Sequence, residues 1–305
     1  MNKIFDFFHQ TDENNITNLE KTKNAKIIKR IASTDKNKSY EESDSIKESD
    51  YPLGVVVEDG KFIGFGIHIF NEDVYPLQSF EIYLRGCDLV GKLDLSNCED
   101  VIFVDVYRNR ISEVDVSNMK SCRILGLQDT EIQYLDPKDL NICQGIDIGK
   151  NQLSSIDVSS NKELVELYVN DNRLTSIDIS NNPKLKYFYC HNNQISELDT
   201  RNNPLLRHVD ATENPMKKIQ CLCPQKEDYP LELYSKYGGY VGLKFYPVYN
   251  AQWKETGEWK QSYHAYPMDG YQFEGWYDLE DKLVSTDEIW VDSYGMSRIL
   301  IAKFK

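Results

Sequence analysis

The stretch YFYCH at positions 187–191 puts two tyrosines flanking a phenylalanine, then a thiol and an imidazole. A phenol offers a hydroxyl and a π face, a thiolate a nucleophile, and an imidazole a proton shuttle or metal ligand. His208 and Asp210 follow in the next stretch of similar pattern. If the two stretches are adjacent strands, His191 and His208 lie roughly 14 Å apart, too far to share a metal. No metal site is expected from them. Cys221 and Cys223 are thiols with only Lys217 and Lys218 nearby to favour a thiolate. The sequence has no glycine-rich phosphate loop, no H-E-x-x-H and no supported Ser/His/Asp order. These absences predict a non-enzymatic protein without a cofactor.

A third group is acidic: Asp94, Asp115, Asp136, Asp157, Asp178 and Asp199. Carboxylates in such number suit calcium. The simpler expectation is that each aspartate bonds the backbone of its own turn on the solvent side.

The spacing of these groups comes from a repeat. Asn109, Thr130, Asn151, Asn172, Asn193 and Asn214 recur every 21 residues. Three apolar columns keep the same step. They run through Val101, Cys122, Cys143, Leu164, Leu185 and Leu206; through Val104, Leu125, Ile146, Leu167, Phe188 and Val209; and through Val106, Leu127, Ile148, Val169, Cys190 and Ala211. A looser unit, slipped by one residue, begins near Phe80 with Ile82, Leu84 and Cys87. One unit cannot bury its own apolar face, so neighbours must stack into a continuous core. The asparagines are expected to bond backbone groups of adjacent turns as a ladder.

Each unit reads L-x-x-L-x-L-x-x-N-x-L-x-x-L-D-L-x-x-N-x-x. Over residues 80–220 this resembles the bacterial 21-residue leucine-rich-repeat class, internalin-like in broad architecture. Thr130 replaces one asparagine, and Pro137 in DPKDLNIC replaces an apolar residue, where a local bulge is expected. The resemblance implies a mainly β fold: a leucine-rich-repeat solenoid, a strand-lined arc with a β-hairpin N-terminal cap and a small C-terminal β-domain.

Strand alternation sorts YFYCH. Phe188 and Cys190 fall on core positions, and Tyr187, Tyr189 and His191 on the exposed concave face. Tyr168, Tyr187 and Tyr189 are expected to form one aromatic patch, edged by Glu166, Asp147, His191, His208 and Asp210. Tyrosines among polar neighbours make a good contact surface for protein or sugar rings. They are also ordinary strand formers.

The flanks differ in composition. Residues 1–50 read as a flexible polar leader, with a short helix around Ala25–Ile31. Residues 51–79 hold GVVVEDGKFIGFGIHIF, a hairpin candidate around Asp59-Gly60. The solenoid spans 80–223, a linker or cap 224–241 and a small β-domain 242–305. In the last, Gly270, Tyr271, Phe273, Gly275, Trp276, Tyr277, Ala302, Lys303 and Phe304 resemble the B-repeat of Gram-positive surface proteins. Phe273 and Trp276 are expected to build a core with Ile299 and Ile301, with a bend or bulge at Gly275.

The 305 residues carry a formal charge of −14. A surface this acidic disfavours nucleic acid and anionic membranes. No apolar run reaches the ~20 residues of a membrane span, and Ile4–Phe8 is too short for a secretory signal core. The expected function is adhesion-type binding, by a monomer, of a protein or glycan on the concave face. The alternative is an intracellular scaffold or inhibitor of another bacterial protein. Localisation is secreted or cell-surface if a signal segment has been removed, cytoplasmic otherwise.

Overall fold

The computed structural model describes residues 7, 10–21, 27–29, 41–42, 56–58, 61–65, 80–82, 86, 88–98, 101–223, 226–249, 255–292 and 299–305. Tyr83, Leu84, Arg85, Cys87 and most of the expected leader and cap lie outside them. The protein is mainly β, a leucine-rich-repeat solenoid of stacked coils. It divides into two compact units, Met1–Leu153 and Ser154–Lys305.

In the first unit, Lys61–Phe65, Phe103–Asp105, Ile124–Gly126 and Gly145–Asp147 form a parallel ladder. The expected hairpin is present: Val56–Glu58 pairs antiparallel with Lys61–Phe65. The three apolar columns point inward, and Val101, Val104, Val106, Leu125 and Leu127 are buried.

Two expectations fail here. Phe80–Ile82 does not extend the parallel ladder but pairs antiparallel with Ile27–Lys29. Its pattern is slipped by one residue from the repeat, out of the register that stacks the parallel strands. Ile27–Lys29 is itself a strand rather than a helix, as its two adjacent β-branched residues favour.

The expected leader also contains structured residues. Asn18 is fully buried. Its amide donates to the carbonyls of Phe7 and Val90 and accepts from the Val90 N–H. Gln10 does the same to both backbone groups of Lys92. Val90–Asp94 pairs on its other side with Arg110–Asp115. Two side-chain amides therefore bond this strand's backbone as a neighbouring strand would.

The expected asparagine ladder is present. Asn151 Oδ1 accepts from the Ile132 N–H while its amide donates to Leu127, Ile148 and Gly149 carbonyls. Thr130 substitutes by bonding Asn151 and the Leu127 carbonyl. Asn193 and Asn214 repeat the pattern in the second unit. The outer aspartates close their own turns: each of Asp94, Asp115, Asp136, Asp157, Asp178 and Asp199 accepts from the backbone N–H two residues on. Pro137 causes no bulge. The Leu140 N–H bonds its carbonyl as the Met119 N–H bonds Val116 in the turn before, a bond that uses the proline carbonyl and not its missing N–H.

In the second unit, Glu166–Tyr168, Tyr187–Tyr189 and His208–Asp210 are parallel neighbours. Gly239–Tyr249, Glu255–Pro267 and Ile289–Asp292 then continue the same sheet antiparallel. The second sheet runs from Glu197–Asp199 and Lys218–Cys223 to Lys226–Ser235, Ile299–Phe304, Phe273–Tyr277 and Leu283–Ser285, antiparallel beyond Lys218–Cys223 except for the parallel pair of Lys226–Ser235 with Ile299–Phe304. Residues 224–241, read as linker or cap, thus include a ten-residue strand. The small domain's core is also shifted by one residue from expectation. Leu300 and Ala302 are buried with Trp276 and Tyr263, and Ile299 and Ile301 are half-exposed. The parallel pairing of Leu233 with Leu300 sets that parity. The register does shift between Phe273 and Gly275, as expected for a bulge.

Candidate functional site

The site is built on the face of the second unit's first sheet that points away from Phe188, Val209, Leu243 and Tyr263, all buried. Cα-partnered residues on neighbouring strands share a face. Tyr168 pairs with Tyr189, Tyr189 with Asp210, Asp210 with Lys244, Lys244 with Ser262, and Ser262 with Val291. These six side chains form one straight row across six strands. A second row begins Glu166, Tyr187, His208.

Side chains stack along these rows. Tyr168 and Tyr189 lie with ring centroids 5.1 Å apart and planes 18° apart. Tyr187 stacks on His208 at 4.6 Å and 19°. His191 meets the edge of Tyr189 at 6.4 Å. The single patch expected from sequence is therefore two stacks of rings, one in each row. Each ring in a stack covers one face of its partner.

Three of the acidic residues expected to edge the patch are instead buried: Asp147, Glu166 and Asp210. Asp147 accepts from the Gly149 N–H in the first unit. Glu166 meets the Tyr168 hydroxyl at a long 3.4 Å. Asp210 is the best supplied. Its Oδ1 accepts from the Thr212 N–H and hydroxyl, and its Oδ2 lies 2.6 Å from Lys244 Nζ. Burial pushes its carboxyl up, but the Lys244 and Thr212 bonds outweigh that and hold it below the usual range. His191 lies between two carboxylates, 3.8 Å from Asp171 and 3.9 Å from Asp210. Burial, with Arg207 beside it, pulls His208 down to about 4, so it is neutral at physiological pH.

The strands beyond Asp210 add residues that the reading of the sequence did not assign to a site. Ser262 Oγ lies 2.9 Å from His264 Nε2, and the Tyr266 hydroxyl accepts from the Glu213 N–H. Ile289 and Val291 are exposed. The available signal was alternation: Lys244 stands between buried Leu243 and Phe245, and His264 between buried Tyr263 and Ala265.

Cys122, Cys143 and Cys190 are fully buried. Cys122 donates to the Ile124 carbonyl, and Cys143 to the Gly145 carbonyl. The Cys143 contact and burial push the Cys122 thiol well up. Burial, then the Asp210 charge, does the same to Cys190. Among the described residues no three His, Cys, Asp or Glu side chains are grouped to hold a metal ion. Among them, too, no helix is long and apolar enough to cross a membrane, which says nothing of a β-barrel.

No curated protein matches the chain in sequence. A family model described as leucine-rich repeats (2 copies) matches residues 162–205. Among solved structures, the functional domain of InlJ from Listeria monocytogenes, whose description includes a cysteine ladder, aligns at 23% identity with a TM-score of 0.38, over 48% of this chain and 35% of that one. The internalin InlF from the same organism aligns at 18% identity and a TM-score of 0.32, over 40% and 44%. A leucine-rich-repeat protein of Leptospira interrogans aligns at 13% identity and a TM-score of 0.28, over 44% and 51%. The match spans less than two thirds of each of these three proteins. The chain carries leucine-rich repeats and is similar to internalins in part of its length.

Proposed function

We propose that this protein is a non-enzymatic binding scaffold whose strand face holds a protein partner. The observation that carries this is the pair of ring stacks, Tyr168–Tyr189 and Tyr187–His208. Pyranose rings bind tyrosine by lying on an open aromatic face. Here each stacked ring has one face covered by its partner, which leaves less open face for a sugar and favours the backbone and side-chain groups of a protein. Tyr168, Tyr187, Tyr189, His191 and His208 are the contact residues. Glu166 positions Tyr168, Asp210 holds the turn at Thr212, and Asp147 holds its own turn in the first unit. An adhesion-type role at the cell surface, by a monomer, is the reading that accords with the B-repeat-like stretch 242–305.

The test is capture from host-cell extract and from mucin, comparing wild type with a Tyr168→Ala/Tyr187→Ala/Tyr189→Ala variant of verified fold. Proteins held by wild type and lost by the variant support the reading. Equal capture by both, or capture of mucin glycan alone, overturns it.

A further inference from the structure

We infer that the binding surface continues past the repeats onto the C-terminal strands, and that it fits an extended protein segment carrying one carboxylate and, three residues along, an aliphatic side chain. This rests on the protein-binding reading above and narrows it.

The register sets the layout. The row Tyr168, Tyr189, Asp210, Lys244, Ser262, Val291 is continuous, each residue the Cα partner of the next from the repeat strands into the C-terminal strands. Its chemistry changes along its length. Asp210 is almost wholly covered, and both of its oxygens are engaged. Lys244 has its side chain 42% exposed. An ammonium has three donors, and Asp210 takes one. The charge that this salt bridge shows to a partner is therefore positive, and its unmet need is an acceptor. A carboxylate supplies one with a charge-assisted bond.

Two strands further on, Val291 is 56% exposed, and Ile289 beside it 60%. Ile289 partners His264, and Val291 partners Ser262, so both aliphatic side chains stand on the same face as Lys244. Trp290 between them turns inward against Tyr263. The edge of the sheet thus offers a small apolar step at the end of a hydrogen-bonding row.

Spacing then constrains the partner. Lys244 and Val291 are separated by two strand spacings, ~10 Å. An extended segment crossing the strands covers that in about three residues. The overall charge of −14 repels an acidic run, so a single carboxylate is called for rather than a cluster.

The experiment uses the whole chain and a displayed library of short random peptides at physiological salt. Enriched peptides should carry one Asp or Glu with Ile, Leu or Val three positions away. Changing that acid to its amide in a synthetic peptide should weaken binding about tenfold. An Ile289→Ser/Val291→Ser variant, altered only at exposed side chains, should weaken it similarly. So should Tyr168→Ala/Tyr189→Ala. Loss in the tyrosine variant without loss in the Ile289/Val291 variant overturns this inference and leaves the protein-binding reading standing. Insensitivity to both variants overturns both. A basic consensus, or no enrichment over an unrelated protein, also overturns the inference.

Discussion

Asp210 and Lys244 meet at 2.6 Å where the parallel strands of the repeats give way to an antiparallel strand. The pair is partnered in register, and it fixes the charge of a carboxylate that burial would otherwise push toward neutrality. Removing the lysine leaves that carboxylate buried, with the Thr212 bonds and the more distant His191. Lys244→Met is expected to cost about 1–3 kcal/mol, less than a fully buried pair because Lys244 is partly solvated. Adding Asp210→Asn should restore much of the loss. Denaturant unfolding of the two single variants and the double variant measures the coupling.

His208 predicts an acid-sensitive stability. Its folded value is about 4, against an ordinary 6.5. Between those values the unfolded chain takes up a proton that the folded chain refuses. Stability therefore falls as pH drops from about 6.5 toward about 4, and this contribution is flat above that window. Burial also holds His264 low and adds in the same direction. In His208→Gln the slope of unfolding midpoint against pH should become shallower in this window. An unchanged slope would mean that His208 does not titrate low.

Asn18 should matter out of proportion to its place in a polar segment. Asn18→Ala removes three bonds and strands both backbone groups of Val90. The expected cost is about 2–3 kcal/mol. Amide exchange at Val90 should accelerate in the variant. If exchange and stability are unchanged, the side-chain cap contributes nothing.

The residue before each ladder position has a left-handed backbone: Arg108, Asp129, Lys150, Asp171, Asn192 and Glu213 all have φ between 53° and 56°. That conformation is strained for residues with a Cβ. Lys150 is exposed, so Lys150→Gly trades that strain against glycine's greater unfolded entropy. A net gain of about 0.5–1 kcal/mol is expected from thermal or denaturant unfolding. A loss would show that the lysine side chain contributes more than its backbone costs.

These left-handed positions mark one boundary of what the sequence disclosed. Asp129, Asp171 and Asn192 are types that visit this region readily, but Arg108, Lys150 and Glu213 are not and none is glycine, so residue type alone did not mark the turn. A second buried ladder was equally quiet. Asn182 donates to the carbonyls of Val158 and Asn161, and Asn203 to those of Ile179 and Asn182. Asn182 and Asn203 stand in SNN and NNP runs, which suit turns, and a turn asparagine can be solvated or buried.

By itself the sequence determined the stacked core, the inward asparagines and the outer aspartate turns, because each of those follows from a fixed period and a local bond. Period also placed Tyr168, Tyr187, Tyr189, His191 and His208 on one side of their strands. Tertiary structure alone decided that Tyr168 faces Tyr189 while Tyr187 faces His208, that Asp210 finds Lys244, and that residues 226–304 extend both sheets. Those outcomes depend on which strands pair, in which direction and in what register. Pairing joins residues far apart in the chain, and an alternating pattern is satisfied equally well by more than one partner.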